Sequence, residues 1–165
     1  MFLKVKAVEP AKCQEQPEAF RAMRGMTHSV LSRETLASYL EDLRRAGAEG
    51  RNLLSEKYAR IDNIIPPLKD SPLIAGIVQI EQEWMRELSE KYPHIVNVGP
   101  GFMVYLSSEL ETYSDETLEL YFKDISAADK EGQNLAEARY TTLFKQLGYD
   151  SIDDAENKVK AQQSA

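Results

Sequence analysis

Cysteine and histidine are scarce in this 165-residue chain, which has Cys13 as its one cysteine and His28 and His94 as its two histidines. One cysteine excludes an internal disulfide, as is usual for proteins of reducing compartments. The sequence also shows no secretory leader and no apolar run of about 18 residues, the length that begins to span a bilayer. We therefore expect a soluble, cytoplasmic protein that does not bind membranes.

So few histidines also argue against metal and nucleophile chemistry. Carboxylate-bridged metal sites in helical bundles use Glu-x-x-His pairs, and no glutamate stands three residues before His28 or His94. Cys13 with His28 or His94 would supply a nucleophile and a base, but one cysteine without an orienting context is weak support for that role, and a buried or tolerated thiol is favoured. We expect no metal and no cofactor. A dense set of glutamates indicates a solvated acidic face rather than a cation site. These are Glu81, Glu83, Glu87 and Glu90.

Positive charge predominates only in the first 60 residues. The net charge is −7, but residues 1–60 carry 11 Lys/Arg against 8 Asp/Glu, and residues 61–165 carry 9 against 19. An acidic chain of this kind is not expected to bind nucleic acid. Solvated helix faces explain the acidic part most simply, and the alternative is that the unlike parts meet in an oligomer.

The sequence contains an internal repeat. Residues 32–58 align with residues 114–140 at a constant offset of 82, without a gap, and 12 of the 27 positions are identical, where average composition gives about two. The identical pairs are Ser32/Ser114, Glu34/Glu116, Thr35/Thr117, Leu36/Leu118, Tyr39/Tyr121, Asp42/Asp124, Ala46/Ala128, Glu49/Glu131, Gly50/Gly132, Asn52/Asn134, Leu53/Leu135 and Tyr58/Tyr140. This similarity predicts a duplicated helical unit.

Each copy is predicted to be a helix, a tight corner and a second helix. Apolar residues recur at the spacing of a helix that buries one face. They are Leu36, Tyr39, Leu40, Leu43 and Ala46 in the first copy and Leu118, Tyr121, Phe122, Ile125 and Ala128 in the second. Ser32 and Ser114 are expected to cap these helices, and Gly50 and Gly132 to end them in a left-handed conformation.

The predicted fold is an all-α single domain over residues 1–165, a helical bundle of two pseudo-symmetric helix-corner-helix repeats with connecting helices. The repeats occupy about residues 32–65 and 114–147, and a central helix, capped by Ser71, occupies about residues 72–92. Shorter helices are expected around residues 17–26 and 151–162. Residues 102–113 fit either a helix or an extended segment, and a helix is favoured.

Polar residues that recur in both copies are the candidate site. Caps and exposed polar positions tolerate several residue types, so the same type in both copies indicates a constrained environment. One interpretation is structural, with tyrosines in the core and asparagines as caps. The other is a ligand pocket near the axis that relates the copies. The candidate ligand-binding residues are Tyr39, Glu49, Asn52, Tyr58, Tyr121, Glu131, Asn134 and Tyr140.

Two stretches, residues 50–60 (GRNLLSEKYAR) and 109–121 (ELETYSDETLELY), continued by residues 131–137 and 147–149, resemble a bacterial family catalogued as domain of unknown function 4125. The resemblance covers nearly the whole chain and implies no activity. Members of that family begin with an acidic, Trp-containing helix like the segment around Trp84, of which this chain keeps only residues 1–5. We therefore expect an uncovered apolar strip on the first copy, covered by a homodimer mate or a partner protein.

The function predicted from the sequence is a cytoplasmic helical binding or assembly module, with a small-molecule pocket between the repeats. The alternative is an enzyme in which Glu49, Glu131 or Glu137 transfers a proton and Tyr58 or Tyr140 donates to a developing anion. That role requires burial to raise the pKa of a carboxyl group. A third interpretation, a purely structural partner domain, needs no pocket.

Overall fold

The computed structural model describes residues 17–163, and all regular secondary structure in this part of the chain is helical, as predicted. Its helices are α1 (Pro17–His28), α2 (Arg33–Ala48), α3 (Leu53–Ile61), α4 (Pro72–Lys91), α5 (Phe102–Leu110), α6 (Asp115–Lys130), α7 (Leu135–Gln146) and α8 (Ile152–Gln163). The ambiguous segment after the turn at residues 97–101 is therefore a helix, α5. Cys13 and residues 1–5 lie outside the described residues.

The ends of the repeated helices follow from local sequence. Ser32 Oγ accepts a hydrogen bond from Thr35 N, and Ser114 Oγ accepts one from Thr117 N, so the two serines cap α2 and α6, as expected. Gly50 and Gly132 have φ angles of 72° and 69°, the left-handed region in which a side chain would be strained. Both corners are thus confirmed, and each copy consists of a helix, a glycine corner and a helix.

The long helix α4 organises the core. Ser71 caps it and Pro72 opens it, where a missing N–H costs nothing. It packs against α5, α6 and α7, and its residues Ile77 and Leu88 are at most 1% exposed, as are Leu118 and Ile125 of α6. The remaining close packings pair α2 with α6, α3 with α5, α1 with α7, and α7 with α8.

Two aspartates at repeat-equivalent positions hold the starts of α2 and α6. Asp124 accepts hydrogen bonds from Ser32 N at 2.8 Å and Thr35 Oγ1 at 2.6 Å. Asp42 accepts the equivalent pair, from Ser114 N at 2.9 Å and Thr117 Oγ1 at 2.7 Å. Each aspartate therefore neutralises the positive end of the other copy's helix. These contacts agree with the expected twofold relation between the copies, which stays a prediction.

The predicted apolar stripe on α2 is wrong at two positions. Leu36 and Leu40 are 36% and 46% exposed, whereas Leu118, the counterpart of Leu36, is fully buried. The buried face of α2 instead carries Thr35, Asp42 and Ala46. The reason is that α4 covers the corresponding face of α6, and no helix between residues 17 and 163 covers α2 in that way.

Candidate functional site

A cavity of about 600 Å³ lies among α1, α3, α4, α5, α6 and α7. Most of its wall is aromatic, thioether or aliphatic. The aromatic and thioether residues in the wall are Phe20, Met23, Met26, Tyr58, Met85, Phe102, Tyr105, Tyr113, Tyr121 and Tyr140. Four charged residues complete it, Arg24, Glu81, Glu109 and Arg139. An apolar pocket of this size with a few polar groups is typical of small-molecule sites.

The first ionic group, the Glu109 cluster, consists of Glu109, Arg24 and Tyr113 of the wall together with Lys57, which does not line the cavity. Glu109 Oε1 accepts from Arg24 Nη1 at 2.5 Å and from the Tyr113 hydroxyl at 2.9 Å. Its Oε2 accepts from Lys57 Nζ at 2.5 Å. Lys57 and Glu109 are 1% and 6% exposed. Lys57 Nζ also lies 3.3 Å from the centre of the Tyr105 ring, a cation–π contact.

The second charged group, the Glu81 cluster, consists of Glu81, Arg139 and Tyr121. Arg139 donates to both oxygens of Glu81, at 2.6 and 2.7 Å, in the bidentate geometry that a guanidinium favours. The Tyr121 hydroxyl donates to Glu81 Oε1 at 2.9 Å. Lys57 and Arg139 are repeat-equivalent, so each copy buries a cation against a glutamate from a different helix, α5 in one case and α4 in the other.

The burial of these groups fixes their protonation states. Burial alone would raise the pKa of Glu109, but the attraction of Arg24 and Lys57 outweighs it and holds that pKa well below its usual range. Burial raises the pKa of Tyr113 and of Tyr121 well above 10, and the neighbouring glutamates add to the effect. At neutral pH the glutamate therefore stays charged and the phenols stay protonated.

Three of the predicted tyrosines line this cavity: Tyr58, Tyr121 and Tyr140. Tyr39 lies behind the wall, where its ring is 4.6 Å from that of Tyr113 and its hydroxyl accepts from Arg24 Nη2 at 3.0 Å. The structure thus brings tyrosines from both copies to one space. Whether they bind a ligand stays a prediction.

The other four predicted residues lie away from the cavity. Asn52 and Asn134 cap α3 and α7 through their side-chain oxygens. Glu49 and Glu131 are exposed beside the glycine corners, where Glu49 accepts from Arg51 at 3.2 Å and Glu131 from Gln133 at 2.9 Å. For these residues the structural interpretation explains the recurrence, because a cap and a corner are needed in each copy.

Sequence reasoning missed the charged residues of the wall. The expected acidic face on α4 holds for Glu83, Glu87 and Glu90, which are exposed, but is wrong for Glu81, which is 1% exposed. A signal was present: Glu81 follows Ile77 by four residues and precedes Trp84 by three, so it falls on the apolar stripe. Arg24 and Glu109 gave no comparable signal.

Residues 17–163 hold no group of three or more His, Cys, Asp or Glu side chains placed to bind a metal ion. No helix in this range combines the length and the apolar character needed to cross a bilayer.

The described residues form an all-helical protein with a mostly apolar pocket that is partly open to solvent. Residues 1–157 match the family model described as a protein of unknown function, DUF4125, and the chain belongs to that family. The resemblance seen in the sequence is thereby confirmed. Neither the curated proteins nor the solved structures contain a significant match to the chain.

Proposed function

We propose that this protein is a binding module for a small molecule, held in the cavity among α1, α3, α4, α5, α6 and α7. The observation that carries the proposal is the composition of the wall. An apolar, aromatic space of about 600 Å³ with buried charges at its edge is large enough for a drug-sized ligand. Tyr58, Tyr121 and Tyr140 are the predicted binding residues that remain in the proposal.

The ionic clusters favour binding over acid–base catalysis. A general base must be able to gain a proton near neutral pH, and the low pKa of Glu109 prevents this. A general acid must be able to lose one, and the raised pKa of Tyr121 prevents that. The predicted carboxylates Glu49 and Glu131 are exposed and outside the cavity. Glu137, the third glutamate of the enzyme alternative, accepts from Lys91 at 2.7 Å and also lies outside the cavity, so none of the three predicted proton-transfer glutamates lines this space.

The hydroxyl of Tyr140 is the clearest polar contact for a ligand. Tyr140 lines the cavity, and no hydrogen bond joins its hydroxyl to another residue in the described range 17–163. Burial raises its pKa, so the group remains a neutral donor and acceptor at pH 7. A ligand with one polar group can be held at this position while its body contacts the apolar wall.

Filling the cavity tests the proposal. Leu106, half-buried in the wall, is replaced by Trp, and Leu147, which is 60% exposed and outside the cavity, is replaced by Trp as the control. Binding of a library of small aromatic and aliphatic compounds is followed by NMR chemical shifts. We expect wild type and Leu147→Trp to share a set of binders whose shifts map to the cavity, and Leu106→Trp to lose them. Binders that map elsewhere, or that Leu106→Trp retains, contradict the proposal.

A second proposal concerns assembly. We propose that the exposed face of α2, around Leu36 and Leu40, is an interface with a second copy of the chain. The support is the contrast with α6, whose corresponding face is covered by α4. Apolar surface left in water costs about 25 cal/mol for each Å². The unlike charge of residues 1–60 and 61–165 favours an arrangement in which the first part of one chain meets the second part of its mate.

We also propose that the protein is cytoplasmic, because its one cysteine suits a reducing compartment.

A further inference from the structure

The two ionic clusters at the cavity differ in net charge. In the Glu81 cluster one carboxylate meets one guanidinium, that of Arg139, and the cluster is neutral. In the Glu109 cluster one carboxylate meets two cations, Arg24 and Lys57. Tyr113 and Tyr121 stay protonated, so they contribute no charge. The Glu109 cluster therefore carries one positive charge more than its carboxylate balances, and of its two cations Arg24 lines the cavity whereas Lys57 does not.

No second carboxylate in residues 17–163 compensates this charge. The ion pairs that Arg24 and Lys57 form there both lead to Glu109. The nearby imidazole of His28 adds nothing, because burial and the repulsion of Arg24 lower its pKa to about 4 and leave it neutral at pH 7. An unbalanced charge in a desolvated site is unfavourable, and a negative group brought into the cavity would balance it.

Arg24 is the cation of the Glu109 cluster that still has N–H groups available to a ligand. Its side chain lines the cavity and is 18% exposed. Its hydrogen bonds to Glu109 and Tyr39 use two of the five N–H groups of a guanidinium. Lys57, by contrast, is enclosed between Glu109 and the ring of Tyr105. A ligand anion can therefore reach Arg24 and not Lys57.

Resting on the proposed small-molecule role, we propose that the ligand is an amphiphilic monoanion with a flat, apolar body and one carboxylate-type group. The carboxylate lies against the free N–H groups of Arg24, whose planar fork suits two carboxylate oxygens. The body lies among the apolar side chains of the wall, such as Met85, Phe102 and Leu106. Thioether and aromatic groups adapt well to a flat ring system.

Cinnamate and cinnamamide test this class of ligand, because they share size and shape and differ in charge. Their affinities are compared by isothermal titration calorimetry at pH 7. We expect wild type to bind cinnamate at least about tenfold more tightly than cinnamamide, the equivalent of 1.4 kcal/mol. Added salt should weaken cinnamate binding and leave cinnamamide binding unchanged.

Replacing Arg24 with Gln removes the excess charge while leaving Glu109 paired with Lys57, so the fold should survive. The preference for cinnamate should fall to within about twofold, and cinnamamide should bind as in wild type. Arg51→Gln makes the same change in net charge at an exposed site outside the cavity and should keep the full preference. Arg24→Lys keeps the charge and should keep part of the preference. Circular dichroism and melting temperature establish that each variant is folded.

The outcomes separate this inference from the proposed function. Equal affinity of wild type for the two compounds overturns the monoanion inference but leaves a binding cavity in place. A preference that persists in folded Arg24→Gln overturns the role of Arg24. Binding of neither compound overturns the monoanion inference, and the cavity-filling experiment with Leu106→Trp then decides the proposed function independently.

Discussion

Lys57 and Glu109 form an ion pair in which the ammonium nitrogen and Oε2 are 2.5 Å apart and both side chains are almost completely enclosed. Lys57 stands on α3 and Glu109 on α5, so this pair joins the second helix of the first copy to the helix preceding the second copy. Removing one partner of a buried pair leaves an unpaired charge, which is strongly unfavourable.

Glu109→Gln should therefore lower the free energy of unfolding by about 3–5 kcal/mol, the range found for broken buried pairs, because Lys57 and Arg24 both lose the carboxylate that pairs them. Arg51→Met is the control, since Arg51 forms an exposed pair with Glu56 and should cost no more than about 1 kcal/mol. Urea unfolding followed by circular dichroism measures both. Equal effects of the two substitutions would show that the Lys57 pair is not desolvated.

Two glycines near the end of α2 test whether the helix ends at the glycine corner. Gly50 has a φ of 72°, so Gly50→Ala should destabilise the protein by about 1 kcal/mol. Gly47 lies inside α2 with open space around it, so Gly47→Ala should stabilise by about 0.5–1 kcal/mol. Thermal unfolding of the two variants should shift in opposite directions. Shifts of the same sign would mean that the helix does not end at this corner.

Stability should decrease as the pH falls from 6.5 to 4. Burial and Arg24 lower the pKa of His28 from 6.5 to about 4, so the unfolded chain binds a proton in this interval that the folded chain does not. The stabilisation is present above pH 6.5 and is lost toward pH 4, at up to about 1.4 kcal/mol per pH unit. Below pH 4 the free energy of unfolding should fall further, because the pKa of Glu109 is depressed in the folded chain and the unfolded chain takes up that proton first.

His28→Phe should remove that part of the pH dependence. Both ring nitrogens of His28 are buried without a hydrogen-bond partner among residues 17–163, so an apolar ring should be tolerated. Urea midpoints at several pH values provide the comparison. A wild-type slope that survives in His28→Phe would assign it to other groups.

Self-association is predicted through α2. Leu40→Glu should convert a dimer into a monomer, because it places a charge in the apolar interface. Leu147→Glu alters a side chain that is also exposed but lies at the end of α7, and it should leave the dimer intact. Sedimentation velocity across ranges of protein and salt concentration reports the state. A wild-type protein that stays monomeric throughout would rule out this interface.

Features encoded by neighbouring residues were predictable, and contacts between distant residues were not. Helix caps, proline starts and glycine corners depend on a few adjacent side chains, so their positions followed from the sequence. The recurrence of Asp42 and Asp124 was equally visible, but their partners lie 72–92 residues away and appear only in the folded chain. The repeat thus identified important positions without identifying their roles.

The candidate site was predictable only where the repeat touched it. Tyr58, Tyr121 and Tyr140 recur and line the cavity. Arg24 and Glu109 do not recur, because the offset of 82 places Leu106 and Thr27 at the equivalent positions. The charge of the cavity therefore comes from residues that differ between the copies, which a search for identities could not find. Their burial depends on the packing of α1 and α5 against α7 and α3.

The most direct test of the binding role is native mass spectrometry of the protein purified from its own host, with Leu106→Trp prepared in parallel. The account predicts that wild type retains a small organic molecule in addition to the mass of the chain, and that the cavity-filling variant carries none. A wild-type protein that shows the bare chain mass under gentle ionisation, or a ligand retained equally by Leu106→Trp, would contradict it.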